Sequence, residues 1–286
     1  MRETVNIQVT EPTYYATTGV AFSQVDAWFG HTRQDLRMDI IYPEDPEKTY
    51  PCIVWICGGA WLQMDRSAHL PYLAGLAREG FVVASPQYRT SNEATFPAQL
   101  IDIKSAIRYL RAHSERYRID TEHIGVMGES AGSHLTAMAA LADDPAYDAG
   151  SYLEYSSQVQ AACPWYPPTD VTSFPYPSPL EAAASPESLL TGMNVMLHQK
   201  EVETACPVSY VSKDAPPFMI LHGINDHTVP FTQGEILHDR LEEAGCDVKL
   251  VAIEGADHAD RQFFQKEIWR RIAEFFREKL GQPTKS

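Results

Sequence analysis

Residues 124–133 read Ile124-Gly125-Val126-Met127-Gly128-Glu129-Ser130-Ala131-Gly132-Ser133. An apolar run of strand character stops at a glycine-flanked serine, and a helix starting at Ala131 and carrying Leu135, Met138 and Ala139 follows. The centre, Gly128-Glu-Ser-Ala-Gly132, has the G-x-S-x-G spacing of a nucleophile elbow. That spacing has a physical origin. A serine forced outward on a sharp strand-to-helix turn needs strained backbone angles, and those need small neighbours. The following helix aims its unpaired N–H groups and positive dipole end at the point where an oxyanion would form.

The flanks of the elbow carry the same alternation of buried strands and amphipathic helices. Upstream, Cys52-Ile-Val-Trp-Ile-Cys57 is a continuous apolar run, as expected of a strand covered on both faces, and it ends in Gly58-Gly59-Ala60-Trp61. A helix over residues 70–78 stops at Gly80, residues 81–85 form a buried strand, and after Pro97 the residues Leu100, Ile103, Ile107 and Leu110 fall at helical spacing. Period-two alternation in residues 4–9 and 36–42 predicts two antiparallel strands near the start. Downstream, residues 159–163 and 217–222 read as strands, 232–244 as a helix and 248–253 as a strand. A last helix carries Phe264, Ile268, Ile272, Phe275 and Leu280 on one face. This order implies an α/β fold with a mostly parallel sheet and helices on both faces. Between about residues 171 and 208 the pattern dissolves into prolines, serines and aromatics, with one short helix near residues 187–190. That stretch is too short to bury a core of its own, so it reads as an insertion over the sheet, and residues 1–286 as a single domain.

Composition narrows the function. Lysine and arginine total 23 against 38 acidic residues, a net charge of −15, which argues against a nucleic-acid backbone or an anionic membrane as partner. The five cysteines are scattered without a C-x-x-C pair, suggesting neither a zinc knuckle nor a disulfide framework. No apolar stretch is long enough to span a bilayer, and the opening residues lack the apolar core of a signal peptide, so a cytoplasmic location is expected. Nothing in the sequence speaks to an oligomeric state.

In an elbow of this kind the remaining members follow in the order acid, then histidine. Asp226 sits just past a strand in His222-Gly-Ile-Asn-Asp-His-Thr-Val-Pro230, where a carboxylate can fix an imidazole's tautomer. Asp214 precedes that strand and belongs to the wrong end of the sheet, and Asp257 adjoins the candidate histidine too closely to point back at it. Among the histidines, His227 is too near Asp226 and His238 falls within a helix. His258, in Glu254-Gly-Ala-Asp-His-Ala259, follows the last strand, at the sheet edge where ligand chemistry collects. The glycine loop after Cys57 supplies the rest. Backbone amides converge on a small anion only where side chains do not intervene, which points to Gly59 and Ala60, with Ala131 after the nucleophile, as an oxyanion hole.

With these residues assembled, the chain resembles the α/β-hydrolase superfamily from about residue 35 to 280. More narrowly, it is similar to the bacterial carboxylesterases related to hormone-sensitive lipase and to the BD-FAE group of bifunctional acetylxylan and feruloyl esterases. The likeness rests on the G-G-A-W loop, the G-E-S-A-G-S-H-L elbow, the Y-P-P-T-D segment, the L-H-G-x-x-D-x-x-V-P acid loop and the D-H pair near the end. It departs where the family usually has His-Gly-Gly: here Cys57 replaces that histidine, which removes an imidazole tether from the loop while leaving its backbone donors. Cys57 itself reads as buried packing rather than as a nucleophile.

The resemblance implies a serine carboxylesterase, needing no metal or cofactor, that acts on a small-molecule or oligosaccharide ester, with acetyl or hydroxycinnamoyl esters of xylan-type saccharides as the substrate class. The same fold also hosts arylformamidase-like amidohydrolases and prolyl-oligopeptidase-like peptidases, and an inactive hydrolase fold could serve as a binding module. Trp61, Trp165 and Tyr166 are candidates for aromatic substrate walls or for packing under a lid. Glu129 either contacts substrate hydroxyls or pairs with a neighbouring arginine. His134, one turn into the helix, reads as a structural hydrogen-bonder rather than a second base.

Overall fold

In the computed structural model, which describes residues 1–285, the apolar runs become the inner strands of one sheet. Strands β1 (Thr13–Ala27) and β2 (Thr32–Glu44) form a long antiparallel hairpin. They are followed by β3 (Lys48–Ile56), β4 (Val82–Pro86), β5 (Ile119–Glu129), β6 (Ala161–Trp165), β7 (Phe218–Gly223) and β8 (Val248–Ile253). The strand order is β1-β2-β4-β3-β5-β6-β7-β8; β2 meets β4 antiparallel, and every later pair is parallel. A two-residue β9 (Thr284–Lys285) pairs antiparallel with the start of β3.

Alternation along β3 explains why both faces are apolar. Cys52, Val54 and Ile56 face one core, shared with α2 (Ala98–Ala112), α4 (Ala131–Leu141) and α8 (Thr232–Glu243). Ile53 and Trp55 face the other, shared with α1 (Leu70–Arg78) and α9 (Lys266–Leu280). A short α3 (Ser114–Tyr117) links α2 to β5. Helix α4 is buried along nearly its whole length, which accounts for its run of Ala, Gly, Ser and Thr: larger residues could not fit between sheet and neighbours.

Three expectations need correction. Residues 4–9 form no strand; Val5, Ile7 and Val9 are 64%, 76% and 92% exposed, and the first strand begins at Thr13. Alternation specifies which face is apolar but not the partner, and the place beside β2 expected for these residues is taken by β1. In α9 the deeply buried member is Phe276 rather than Phe275, and Phe264 belongs to a 3-10 turn before the helix. Finally, the insertion does bury something of its own. It folds into α5 (Pro179–Ala183), α6 (Pro186–Thr191) and α7 (Gln199–Val202), and Val171, Ala182, Val195, Val202 and Cys206 make a small separate cluster. The first two helices start conventionally, on Ser178 and Ser185 N-caps followed by proline. The root of the insertion is clamped by the buried Gln233 of α8, which accepts from the amides of Thr169 and Asp170 and donates to Ser173 Oγ. Among the described residues, no helix is long and apolar enough to cross a membrane.

Candidate active site

Strand β5 ends at Glu129 and α4 begins at Ala131, so the whole change of direction falls on Ser130. Its φ of 51° and ψ of −122° lie where a non-glycine residue costs on the order of 1–3 kcal/mol. The surrounding bonds hold it there. Ser130 N donates to Trp165 O at 3.1 Å, and its carbonyl accepts from the amides of Ser133 (2.9 Å) and His134 (3.1 Å) and from Ser133 Oγ (2.6 Å). Gly132 allows α4 to touch β3: a Cβ there would lie 2.0 Å from Ile56 O.

The loops after β7 and β8 bring the other two residues to this serine. His258 Nε2 stands 3.0 Å from Ser130 Oγ, and His258 Nδ1 stands 2.8 Å from Asp226 Oδ2. Asp226 Oδ1 accepts the amides of Thr228 (2.9 Å) and Val229 (2.8 Å). Burial alone would raise the Asp226 carboxyl, but hydrogen bonds from His222, His258 and the Val229 amide outweigh it and hold the group well below the usual carboxylate range. An ionised Asp226 can only accept, so His258 Nδ1 carries the proton and Nε2 is left to accept from the Ser130 hydroxyl. Asp257 does not compete. It accepts the amides of His227 and His258 and the His227 ring, bracketing the loop from outside.

The glycine loop lies against the elbow with three consecutive residues at positive φ: Gly59 (125°), Ala60 (54°) and Trp61 (57°). Gly59 O accepts from the amides of Leu62 and Gln63, closing the loop into a tight turn. Gly58 is obliged by crowding, since a Cβ would fall 2.9 Å from Glu129 O and 3.2 Å from Ser130 Cβ. Tethers replace the imidazole that Cys57 lacks: Tyr88 OH donates to Cys57 O at 2.9 Å, and the Cys57 thiol reaches Glu129 Oε1 at 3.9 Å. Burial pushes the Cys57 thiol up to about 11, so it stays protonated and weakly nucleophilic at neutral pH.

The four expected substrate contacts are placed differently from an open groove. Trp61 is buried, and its Nε1 donates to His134 Nδ1 at 3.2 Å. Trp165 lies in the core shared with α9, edge-on to Trp55 and against Phe263 and Trp269. Tyr166 is buried too; its hydroxyl donates to Glu129 Oε2 at 2.8 Å and its ring meets His258 edge-on, centroids 4.6 Å apart. Glu129 pairs with no arginine, and its other oxygen faces His69 Nε2 at 2.8 Å. These side chains have too little exposed surface to form substrate walls, because the strand ends turn them into the interior. His134 is structural as read: Nε2 donates to Ala205 O at 2.7 Å, and burial lowers its pKa to about 4. Sequence reasoning missed His69 and Tyr88, whose partners lie across the fold with no spacing rule to mark them. The compact His–Asp–Glu cluster found among the described residues, His238, Asp239 and Glu242 on α8, includes none of the site residues.

Residues 38–241 match the BD-FAE family model. This chain belongs to the BD-FAE family. Its relatives include the probable carboxylic ester hydrolase LipM of Mycobacterium tuberculosis, 35% identical over 204 residues, covering 68% of this chain and 46% of LipM. Esterase LipQ of the same organism is 32% identical over 224 residues, covering 75% and 51%. The chain thus spans about half the length of the curated relatives it matches. Among solved structures, a truncated form of a carbohydrate esterase from gut microbiota superposes with a TM-score of 0.83 at 29% identity, covering 96% of this chain and 100% of that one. Esterase 2 from Thermogutta terrifontis, solved with butyrate bound, gives a TM-score of 0.74 at 26% identity over 92% of each chain. The fold of this BD-FAE member is that of the α/β hydrolases, and ester hydrolysis is the activity these relatives' names share.

Proposed function

We propose that this chain is a serine carboxylic ester hydrolase acting on acetyl or hydroxycinnamoyl esters of xylan-type saccharides. One observation carries the reading: an unbroken hydrogen-bonded line from Ser130 Oγ through His258 to a buried, ionised Asp226, on a strained elbow facing a glycine loop. In this mechanism Ser130 attacks the ester carbonyl while His258 Nε2 takes its proton, and Asp226 stabilises the imidazolium. The amides of Gly59, Ala60 and Ala131 receive the negative charge on the carbonyl oxygen. His258 then returns the proton to the departing alcohol, leaving an acyl-enzyme. Water, deprotonated by His258, releases the acid and restores Ser130.

The saccharide assignment draws on the family resemblance and on two structural neighbours. One is named as a carbohydrate esterase; the other is described as a bifunctional GH43-CE from Bacteroides eggerthii, 28% identical with a TM-score of 0.82, covering 93% of this chain and 35% of that one. The test is kinetic and chemical. Wild-type protein should hydrolyse p-nitrophenyl acetate and be labelled by a fluorophosphonate, and Ser130→Ala should lower kcat on the order of 10⁶-fold. Retained turnover in that variant would refute the assignment of the nucleophile, and a wild-type protein inert to the probe would favour a binding module. A panel of acetylated and feruloylated xylo-oligosaccharides, p-nitrophenyl butyrate and N-formylkynurenine identifies the substrate class. Preference for the formyl amide would replace the esterase reading with an amidohydrolase.

A further inference from the structure

Glu129 immediately precedes Ser130, so its backbone belongs to the elbow while its carboxylate turns beneath it and is almost wholly buried. Three side chains converge on that carboxylate from three parts of the chain. His69, at the start of α1, faces Oε1 at 2.8 Å, and the Cys57 thiol at the end of β3 reaches the same oxygen at 3.9 Å. Gly58 of the glycine loop packs against the Glu129 side chain, where a Cβ would lie 3.2 Å from Glu129 Cγ, and Tyr166 OH, just past β6, donates to Oε2 at 2.8 Å. Tyr166 in turn presents its ring edge-on to His258. One side chain therefore links the loop expected to receive the oxyanion to the ring that lies against the expected base.

Burial alone would raise the Glu129 carboxyl, but His69, Tyr166 and the Gly58 amide overcome it and hold the group below its ordinary value, so it is an anion at neutral pH. Burying a charge is costly, and a fold needing only to fill this volume could use an apolar residue. A fixed anion one ring away from His258 has a different use. During attack His258 becomes positively charged, and nearby fixed negative charge lowers the energy of that state.

We propose that Glu129 is a positioning residue for hydrolysis, its buried side chain setting both the glycine loop, through its contacts with Cys57 and Gly58, and the electrostatics of His258 through Tyr166. The proposal rests on the hydrolase reading above. The charged and titratable groups facing His258 are Asp226, directly bonded to it, Asp257 at its backbone amide, and Glu129 behind Tyr166. Those facing Glu129 are His69, Tyr166 and Cys57, with Tyr88 close enough to feel its charge.

The experiment is the pH dependence of kcat/KM on p-nitrophenyl acetate for wild type, Glu129→Gln and Glu129→Asp. Removing a nearby anion makes His258 easier to deprotonate, so the acidic limb of Glu129→Gln should move down by about half a pH unit or more. Its kcat should fall about tenfold with KM nearly unchanged, the pattern of an interaction felt mainly in the transition state. Glu129→Asp keeps the charge, and its limb should stay nearer the wild-type position. An unmoved limb in Glu129→Gln overturns the proposal whatever happens to the rate, because a purely structural carboxylate would alter rate or melting temperature without it. If Glu129→Gln does not fold, Tyr166→Phe is measured instead: a fall in kcat of about tenfold at unchanged KM supports the coupling, and wild-type kcat overturns it. Fluorophosphonate labelling of wild type separates the two readings, since an unlabelled protein fails the hydrolase assignment and a labelled one with an unmoved limb fails only this proposal.

Discussion

Acidifying the protein from pH 7 to pH 4 charges His134 in the unfolded chain well before it charges it in the folded one. In the fold this imidazole has no exposed surface, and both nitrogens are engaged: Nδ1 accepts from Trp61 Nε1 and Nε2 donates to Ala205 O. A proton added at Nδ1 would face the indole N–H, donor against donor. Burial is the main cause of the lowered pKa of about 4, and the Ala205 carbonyl opposes it. Against an unfolded value of about 6.5, the gap of about 2.5 units corresponds to roughly 3 kcal/mol. Between those two values the unfolded chain binds more protons, so stability rises with pH. The contribution is fully present above about pH 6.5, is lost as pH falls through about 4, and is flat below. The assay is urea unfolding at several pH values for wild type and His134→Gln, a variant that can still accept from Trp61 and donate to Ala205 but cannot titrate. Carboxylates elsewhere affect both proteins alike, so the difference isolates His134. Wild type should lose about 1.4 kcal/mol per pH unit more than the variant across this window. Parallel curves would show that His134 is not held neutral by burial and would refute the argument.

Three further outcomes follow from the geometry. Asp226→Asn removes the anion that fixes the His258 tautomer, and kcat on p-nitrophenyl acetate should fall by about 10³–10⁴-fold with KM little changed. Gly132→Ala brings a Cβ within 2.0 Å of the Ile56 carbonyl, which is backbone and cannot swing away, so thermal unfolding should show severe destabilisation or no folded protein at all. Gly75→Ala, inside α1 with nothing within 4 Å of the added carbon, should raise stability by about 0.5–1 kcal/mol in the same assay.

The elements legible in the sequence were those whose local pattern and tertiary setting agree. Helix α1, strand β8 and the start of α4 fall where spacing places them, because apolar periodicity and end signals coincide there. Ser130, Asp226 and His258 are brought together for another reason: each lies just past the carboxyl end of a parallel strand, so topology gathers residues distant in sequence. What could not be read was the direction of side chains at those strand ends. Trp165 and Tyr166 are neighbours in sequence, yet one packs among the tryptophans of the α9 core and the other reaches Glu129. Residues 4–9 show the converse failure, a clear alternating pattern that forms no strand because residues 13–27 pair with β2 instead.

The small apolar cluster inside the insertion has a bearing on how such a protein can change. Val171, Ala182, Val195, Val202 and Cys206 pack on one another, while the same segment is tied to the rest of the fold by Gln233 at its root, by Leu190 in the main core and by Ala205 O, which accepts from His134 of α4. Leu190 and Ala205 therefore couple the insertion to the main core and to α4, whereas Leu180 and Leu197 stand 84% and 65% exposed. Variation can accumulate at such outward positions, or be introduced there by design, while Ser130, Asp226 and His258 keep their spacing.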